Sequence, residues 1–132
     1  MTLQNLPVTI DDIRAARERI KDHILLTPLL IAPRLSQQFE ANIMVKYENM
    51  QATNSFKERG ALNKLLHLTN EEKKKGVITV SAGNHAQALA YHAQRLGIPT
   101  TVVMPVTTPG VKVEAAERYG ASVVLAGDTV SD

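Results

Sequence analysis

The stretch VITVSAGNHAQALAYHAQRLGIPTTVVMP, residues 77–105, decides the fold predicted for this chain. It opens and closes with short runs rich in valine, isoleucine and threonine, which favour β-strands over Val77–Val80 and Thr100–Met104. Between the two runs a helical pattern covers residues 84–96 and stops at Gly97. Strand, helix and strand in this order predict a parallel β-α-β unit.

The same alternation continues after residue 105. A second helical pattern, with Pro109 as its first helical residue, stops at Gly120, and a third apolar run covers residues 123–126. The complete pattern is β-α-β-α-β, and right-handed crossovers make such a sheet parallel and cover it with helices. We therefore predict an α/β fold. Because a parallel sheet normally continues beyond such a strand, we expect the chain to be part of a longer protein.

The N-terminal half carries mainly helical patterns. Thr9 is expected to cap a first helix whose apolar residues recur at helical spacing as far as Thr27-Pro28. A short second helix is predicted over residues 32–40, a short strand over 43–47 and a loop over 48–54.

A further helix is predicted to begin near Lys57. Ser55 and Glu58 have the spacing of a capping box and precede a leucine-rich pattern, which places Lys57 in the first helical turn. The positive end of the helix dipole and the neighbouring Arg59 both disfavour an ammonium ion, an effect that Glu58 partly offsets. A neutral amine suits Schiff-base chemistry. Taken alone, a solvated surface lysine is the more common interpretation.

A second candidate site is the turn Ser81-Ala82-Gly83-Asn84-His85, the 81–85 turn, which joins the end of a strand to the start of a helix. Backbone N–H groups at such a position, with the Ser81 hydroxyl and the Asn84 amide, suit a carboxylate or a phosphate. The alternative is a turn capped by Ser81 or Asn84. A dinucleotide site is disfavoured, because Gly83 stands alone where three glycines are required.

Composition and the remaining residues exclude several classes of protein. A net charge of +2, with acids and bases interleaved, indicates no nucleic-acid surface. The chain has no cysteine, no signal-peptide pattern at its start and no apolar run of bilayer length, so we expect a cytoplasmic protein without a membrane partner. The four histidines lie in unrelated contexts, which disfavours both a hydrolase triad and a metal site.

Three linked motifs are together typical of one enzyme family. They are Lys46-Tyr47-Glu48-Asn49-Met50-Gln51, Ser55-Phe56-Lys57-Glu58-Arg59-Gly60-Ala61 and Ser81-Ala82-Gly83-Asn84-His85-Ala86-Gln87. They resemble the threonine ammonia-lyase and serine racemase group of fold-type II enzymes, whose fold is like that of the tryptophan synthase β subunit and whose cofactor is pyridoxal 5'-phosphate. The resemblance implies that residues 1–75 are the N-terminal part of a large cofactor-binding domain and residues 76–132 an incomplete small α/β domain.

The resemblance also implies roles for individual residues. The lysine matching Lys57 holds the cofactor as a Schiff base and moves the α-proton of the substrate, and the phenylalanine matching Phe56 packs beside the cofactor. The asparagine matching Asn84 bonds the phenolic oxygen of the cofactor ring. The substrate carboxylate is bound by residues of the turn, namely Ser81, Ala82, Gly83, Asn84 and His85. The implied reaction removes water from L-threonine, or from L-serine, and yields 2-oxobutanoate or pyruvate and ammonia.

Ala82 bears on the branch of the family that this chain resembles. Racemases of the group carry a serine at this position, and racemisation needs an acid/base group on each face of the carbanion. Because an alanine cannot transfer a proton, a dehydratase is favoured over a racemase. Cysteine synthases and threonine synthases resemble the layout less, since their turn carries Ser-Gly-Asn-Thr where this chain has Ala82-Gly83-Asn84-His85.

The phosphate of the cofactor needs a cradle, which relatives build from a glycine cluster well downstream of the Schiff-base lysine. The seven glycines of this chain are scattered. The chain alone is therefore expected to bind the cofactor poorly or not at all, and the longer protein to be a homo-oligomer that acts on a small amino acid. The alternative is a folded but inactive module that contacts a partner.

Overall fold

The computed structural model of the protein describes residues 7–131. The helices of this range are α1 (Ile10–Ile20), α2 (Pro33–Gln38), α3 (Lys57–His67), α4 (Asn70–Lys75), α5 (Asn84–Arg95) and α6 (Gly110–Glu117). The strands are β1 (Leu29–Ile31), β2 (Met44–Lys46), β3 (Val77–Val80), β4 (Thr100–Met104) and β5 (Ser122–Leu125), and a short 3-10 helix covers Glu48–Met50. Residues 1–6, which belong to the start where no signal peptide is expected, and Asp132 lie outside the described residues.

Three strands form the predicted parallel sheet, in the order β3-β4-β5. The register places Val77 beside Thr100 and Thr101 beside Ser122. Helix α5 connects β3 to β4, and α6 connects β4 to β5, so the β-α-β-α-β pattern and the α/β fold class are confirmed. The third strand begins one residue earlier than predicted. Pro109 precedes α6 instead of starting it, because its backbone is extended, with a ψ of 136°.

The side chains of β4 alternate between a buried and a half-buried face. On the buried face the strand packs against α5 and α6 through an apolar cluster. The members of this cluster are Ala86, Ala90, Val102, Met104, Ala116 and Ala121. On the opposite face of the sheet Ile78 is 70% exposed and Val124 is 47% exposed. In the part of the chain that the structure describes, the helices therefore cover one face of the sheet.

Helix α3 packs against α5, and this contact joins the two halves of the chain. A second apolar cluster lies at the contact and consists of Ala61, Leu65, Ala88, Leu89, Ala93 and Ile98. The packing crosses the boundary expected between residues 75 and 76. It directly joins α3, which begins at Lys57, to α5, whose first two residues belong to the 81–85 turn.

Helix α1 begins as predicted, with a capping box at Thr9. It ends at Ile20, well before Thr27-Pro28, so its predicted extent is wrong. The backbone of Leu25 gives the reason. Its N–H and C=O groups bond to the side-chain amide of Gln51 and are therefore unavailable to a helical ladder.

The short elements that follow α1 also differ from the prediction. Strand β1 pairs antiparallel with β2, with Leu29 opposite Lys46. The sequence pattern does not indicate β1, because its three residues are all apolar and show no alternation. In the structure all three are exposed. Helix α2 and strand β2 are each shorter than the predicted ranges 32–40 and 43–47.

Candidate active site

Lys57 is the first residue of α3, so its predicted place in the first turn of a helix is confirmed. Its side chain is exposed, and its Nζ lies 4.9 Å from the centroid of the exposed Phe56 ring, a cation–π contact. Asn54 has a φ of 57°, a left-handed conformation that asparagine tolerates where the loop turns toward the helix. The structure thus presents the Lys57 amine at a helix N-terminus, outside the apolar core.

The capping box predicted between Ser55 and Glu58 is wrong. Phe56 precedes the helix without a side-chain capping bond, and the Ser55 hydroxyl accepts the backbone N–H of Lys57 at 3.4 Å. Glu58 turns inward because its carboxylate has partners in the interior. One oxygen accepts the backbone N–H and the hydroxyl of Thr53, and the other lies 3.1 Å from Nε2 of His92. Glu58 is therefore committed elsewhere and does not offset charge at Lys57.

Arg59 also has a partner that the sequence analysis does not identify. Its Nε and Nη2 each donate to the Glu48 carboxylate at 2.8 Å, a two-point contact. Glu48 further accepts the Thr27 hydroxyl at 2.6 Å and the Gln51 amide at 3.3 Å. Hydrogen bonds from Arg59, above all, lower the pKa of Glu48 to about 2. Glu48 thus balances the guanidinium charge. The structure does not support the expected electrostatic effect of Arg59 on the Lys57 ammonium ion.

The 81–85 turn lies where β3 ends and α5 begins. Gly83 precedes the helix without a side-chain capping bond, so neither Ser81 nor Asn84 caps α5. The Ser81 hydroxyl instead accepts the N–H of Gly83 at 3.3 Å, within the turn. The first N–H groups of a helix have no partner inside the helix. A methyl group built at Gly83 would meet no atom within 4 Å, so no other part of the described chain packs against Gly83 on that side.

The α3–α5 contact brings the two candidate segments onto neighbouring helices. A groove of about 250 Å³ between α3, β3 and α5 is lined by His85 of the turn and by Gly60 and Lys64 of α3. Lys57, Phe56 and the other turn residues do not line it. Among the described residues, no hydrogen bond or ion pair joins Lys57 to the turn. The structure therefore places His85 against α3 and leaves the amine of Lys57 and the exposed Asn84 on separate helix ends.

Glu58 and His92 are polar residues of this region that sequence reasoning missed as a pair. A signal for Glu58 exists in its spacing, because residues 58, 61, 62 and 65 recur at helical intervals and the last three are apolar. That spacing puts Glu58 on the buried face of α3, where it is 1% exposed. His92 stands next to Ala93 on the buried face of α5, with the same exposure.

The donor groups of these residues fit part of pyridoxal 5'-phosphate. Lys57 offers a primary amine for the aldehyde, Asn84 offers an amide for the phenolic oxygen, and the N–H groups of the turn suit a substrate carboxylate. For the phosphate the structure gives no comparable cradle between residues 7 and 131, since the glycines there are dispersed over several turns and helices. The described residues therefore suit the reactive side of the cofactor.

Between residues 7 and 131, no group of three or more His, Cys, Asp or Glu side chains has a geometry that could hold a metal ion. No helix in the same range has the length and apolar character needed to cross a membrane.

Comparison with known proteins gives consistent matches. The profile of the family described as pyridoxal-phosphate dependent enzyme matches residues 20–132. The L-threonine dehydratase catabolic TdcB of Staphylococcus aureus (strain USA300) is 49% identical over 126 residues, which are 95% of this chain and 36% of that protein. The chain thus spans about 36% of the length of the curated relatives it matches.

Solved structures give the same result. Maize serine racemase matches with a TM-score of 0.88 and 34% identity, over 96% of this chain and 39% of that one. Threonine deaminase isoform 2 from Solanum lycopersicum matches with a TM-score of 0.81 and 40% identity, over 94% of this chain and 36% of that one. The predicted resemblance to the threonine ammonia-lyase and serine racemase group, and the fold type that it implies, are confirmed.

Proposed function

Since this chain belongs to the pyridoxal-phosphate dependent enzyme family, we propose that it carries the reactive lysine of an enzyme that removes water and ammonia from L-threonine. The enzyme would be a full-length protein, meaning a polypeptide that contains this chain and has the length of the relatives. The observation that carries the proposal is the exposed amine of Lys57 at the start of α3, a helix packed on the one that follows the 81–85 turn. The 49% identity to a threonine dehydratase supports the choice of substrate.

Each residue of the proposed site has a defined task. When bound, the cofactor supplies an electron sink for the charge left on the substrate's α-carbon. Lys57 would hold the cofactor through Nζ and, once the amine of the substrate has displaced it there, would take up the α-proton on the freed nitrogen. Phe56 packs beside the ring, and the Asn84 amide bonds its phenolic oxygen. The substrate carboxylate is held by residues of the turn, which are Ser81, Ala82, Gly83, Asn84 and His85.

Two acids near Lys57 have other partners. Glu58 bonds to Thr53 and His92, and Glu48 bonds to Arg59, so these two acids are engaged away from the amine. Among the described residues, no ion pair involves Lys57. The exposed Nζ of Lys57 is thus not engaged by a carboxylate and is accessible to the aldehyde of the cofactor.

Serine racemisation is the second candidate activity, and the TM-score of 0.88 to maize serine racemase favours it. The half-buried Ala82 argues against it, because position 82 then offers no hydroxyl for the second face of the α-carbon. We therefore propose elimination from L-threonine, with L-serine as a second substrate, as the main reaction.

Three related proposals concern the full-length protein, and a fourth concerns the 132-residue chain alone. We propose a boundary between a large and a small domain near residue 75, which limited proteolysis tests. We also propose a cytoplasmic location, which the lack of cysteine supports, and a homo-oligomer, which sedimentation tests. Finally, we propose that the 132-residue chain alone is inactive, because the described residues hold no cradle for the phosphate.

The experiment that tests the function uses the full-length protein loaded with pyridoxal 5'-phosphate. We expect a visible absorbance band from the lysine-bound cofactor and release of 2-oxobutanoate from L-threonine. Lys57→Ala should abolish both signals. Lys64→Ala is the matched control, because Lys64 is an exposed lysine on the same helix, and it should keep both. Accumulation of D-serine from L-serine without keto-acid release would refute the proposed reaction.

A further inference from the structure

Glu58 and His92 form a buried polar pair between α3 and α5. Each residue is 1% exposed, and Nε2 of His92 lies 3.1 Å from Oε2 of Glu58. Oε1 of Glu58 accepts the backbone N–H of Thr53 and, at 2.9 Å, its hydroxyl. One carboxylate therefore ties together the loop before Lys57, the first turn of α3 and the middle of α5.

The charge state of the pair follows from its surroundings. Burial lowers the pKa of His92, while the charge of Glu58 and its hydrogen bond act in the opposite direction. Arg95 on the same helix and His23 after α1 lie near the imidazole and also lower its pKa. The lowered pKa favours the neutral imidazole at pH 7, and the tautomer that carries hydrogen on Nε2 donates to the Glu58 carboxylate.

Packing alone does not account for a polar pair at this place. The rest of the α3–α5 contact is apolar, with Leu65 and Leu89 in its cluster. A buried carboxylate and imidazole cost more free energy to desolvate than apolar side chains of similar volume. The pair adds a defined geometry, because three hydrogen bonds from two segments hold the Glu58 side chain in one orientation.

We infer that Glu58 and His92 are positioning residues that keep the Lys57 amine in register with the 81–85 turn. The inference rests on the proposed function, which gives Lys57 and the turn their roles. Glu58 acts through the Thr53 loop and its direct neighbour Lys57, and His92 acts through α5, whose first residues belong to the turn. A substitution on α5 should then loosen the loop before Lys57, which a local packing defect would not do.

Amide hydrogen exchange of the full-length protein without cofactor tests this coupling independently of activity. In His92→Ala we expect exchange at residues 53–57 to accelerate by about tenfold or more, although His92 lies on another helix. Leu89→Ala is the matched control, because it removes a buried side chain from the same helix and the same contact but no bond to Glu58. It should leave residues 53–57 within about twofold of the wild type. Equal exchange at these residues in both variants would overturn the inference.

Kinetics of the loaded full-length protein give the second readout. Glu58→Ala and His92→Ala should each lower kcat for L-threonine by about tenfold or more, while Leu89→Ala should change it by less than about twofold at a temperature where all variants are folded. Glu58→Gln should recover most of kcat, because its amide oxygen still accepts from Thr53 and its N–H can donate to the other tautomer of His92. No difference in kcat between Glu58→Ala and Leu89→Ala would refute a positioning role.

A second variant and an activity-independent measurement distinguish a folding failure, a failure of the proposed function and a failure of the inference. If an alanine variant does not fold, His92→Asn replaces it, because asparagine is polar but lacks an atom at the place of Nε2, and exchange at residues 53–57 should still rise. If the wild-type protein releases no keto acid, the proposed function fails. The exchange experiment then still decides whether the Glu58–His92 pair couples α5 to the loop before Lys57.

Discussion

Glu48 is a residue whose ionisation the structure holds far from its usual range. Its carboxyl pKa is lowered from 4.5 to about 2, first by the hydrogen bonds of Arg59 and then by those of Thr27 and Gln51. A carboxyl group with a depressed pKa in the folded state contributes stability that is fully present above pH 4.5. That contribution is lost as the pH falls from 4.5 toward 2. Acid therefore weakens the link between the 48–54 loop and α3.

We predict that Glu48→Gln lowers the free energy of unfolding at pH 7 by about 1 kcal/mol, since the site is partly solvated and Arg59 loses its charged partner. The variant should also show less loss of stability between pH 4.5 and 2 than the wild type. Urea unfolding over a pH series measures both effects. Glu18→Gln is the control, because Glu18 pairs with Lys21 on the surface of α1, and it should be neutral. A steeper acid dependence in Glu48→Gln would contradict the prediction.

Ala82 is the residue that separates elimination from racemisation in the proposed site. We predict that Ala82→Ser in the full-length protein raises D-serine formation from L-serine by about tenfold or more, because a hydroxyl then faces the second side of the α-carbon. Chiral chromatography of the reaction mixture measures the product. Ala82→Gly changes the same position without adding a proton-transfer group and should form no additional D-serine. Racemisation by the wild type at the rate of Ala82→Ser would show that the assignment of Ala82 is wrong.

At the scale of elements, periodicity and turn residues predict the parallel sheet and its two crossover helices. These signals are local, since a strand run and a helical run are each defined by their own residues. The inward orientation of Glu58 and the pairing of β1 depend instead on residues outside their own segments. Glu58 has the sequence spacing of a capping box, yet donors at Thr53 and His92 draw it inward, and His92 is distant in sequence. Likewise, β1 becomes a strand through its partner β2.

The Lys57 motif shows the same limit at the candidate site. The start of a helix at Lys57 follows from local pattern, whereas its neighbours' partners do not. Arg59 pairs with Glu48 across the loop. That pairing balances the guanidinium charge that the sequence analysis expects to act on Lys57. Tertiary partners therefore decide the electrostatics of the first turn of α3.

The link between α4 and β3 depends on Gly76. It has a φ of +85°, and a methyl group added there would lie 2.6 Å from the carbonyl oxygen of Pro99. We predict that Gly76→Ala lowers the free energy of unfolding by about 1–3 kcal/mol. Gly60→Ala within α3 is the matched control, since nothing lies within 4 Å of the added methyl, and it should raise stability by about 0.5–1 kcal/mol. Denaturant unfolding compares the two, and a neutral Gly76→Ala would contradict the strain argument.

At the scale of the whole molecule, one contact organises the candidate site. Helix α3 presents Lys57 and α5 follows the turn, and their packing relates the two segments without a direct bond between them. The same molecule exposes apolar side chains on the other face of its sheet, where Ile78 is 70% and Val80 50% exposed. The buried contact thus relates the two candidate segments, and the exposed sheet face leaves apolar area in contact with solvent.

The exposed sheet face leads to a prediction for the 132-residue chain by itself. Apolar side chains on an edge strand favour association, so we expect the weight-average mass in sedimentation equilibrium to rise with concentration. Ile78→Thr should weaken this association by about fivefold, because the side chain loses apolar area that contact would bury. Val111→Thr is the matched control, since Val111 is 71% exposed on α6, away from that face, and it should leave association unchanged. A monomer at every concentration, or equal effects of both substitutions, would show that the sheet face does not drive association.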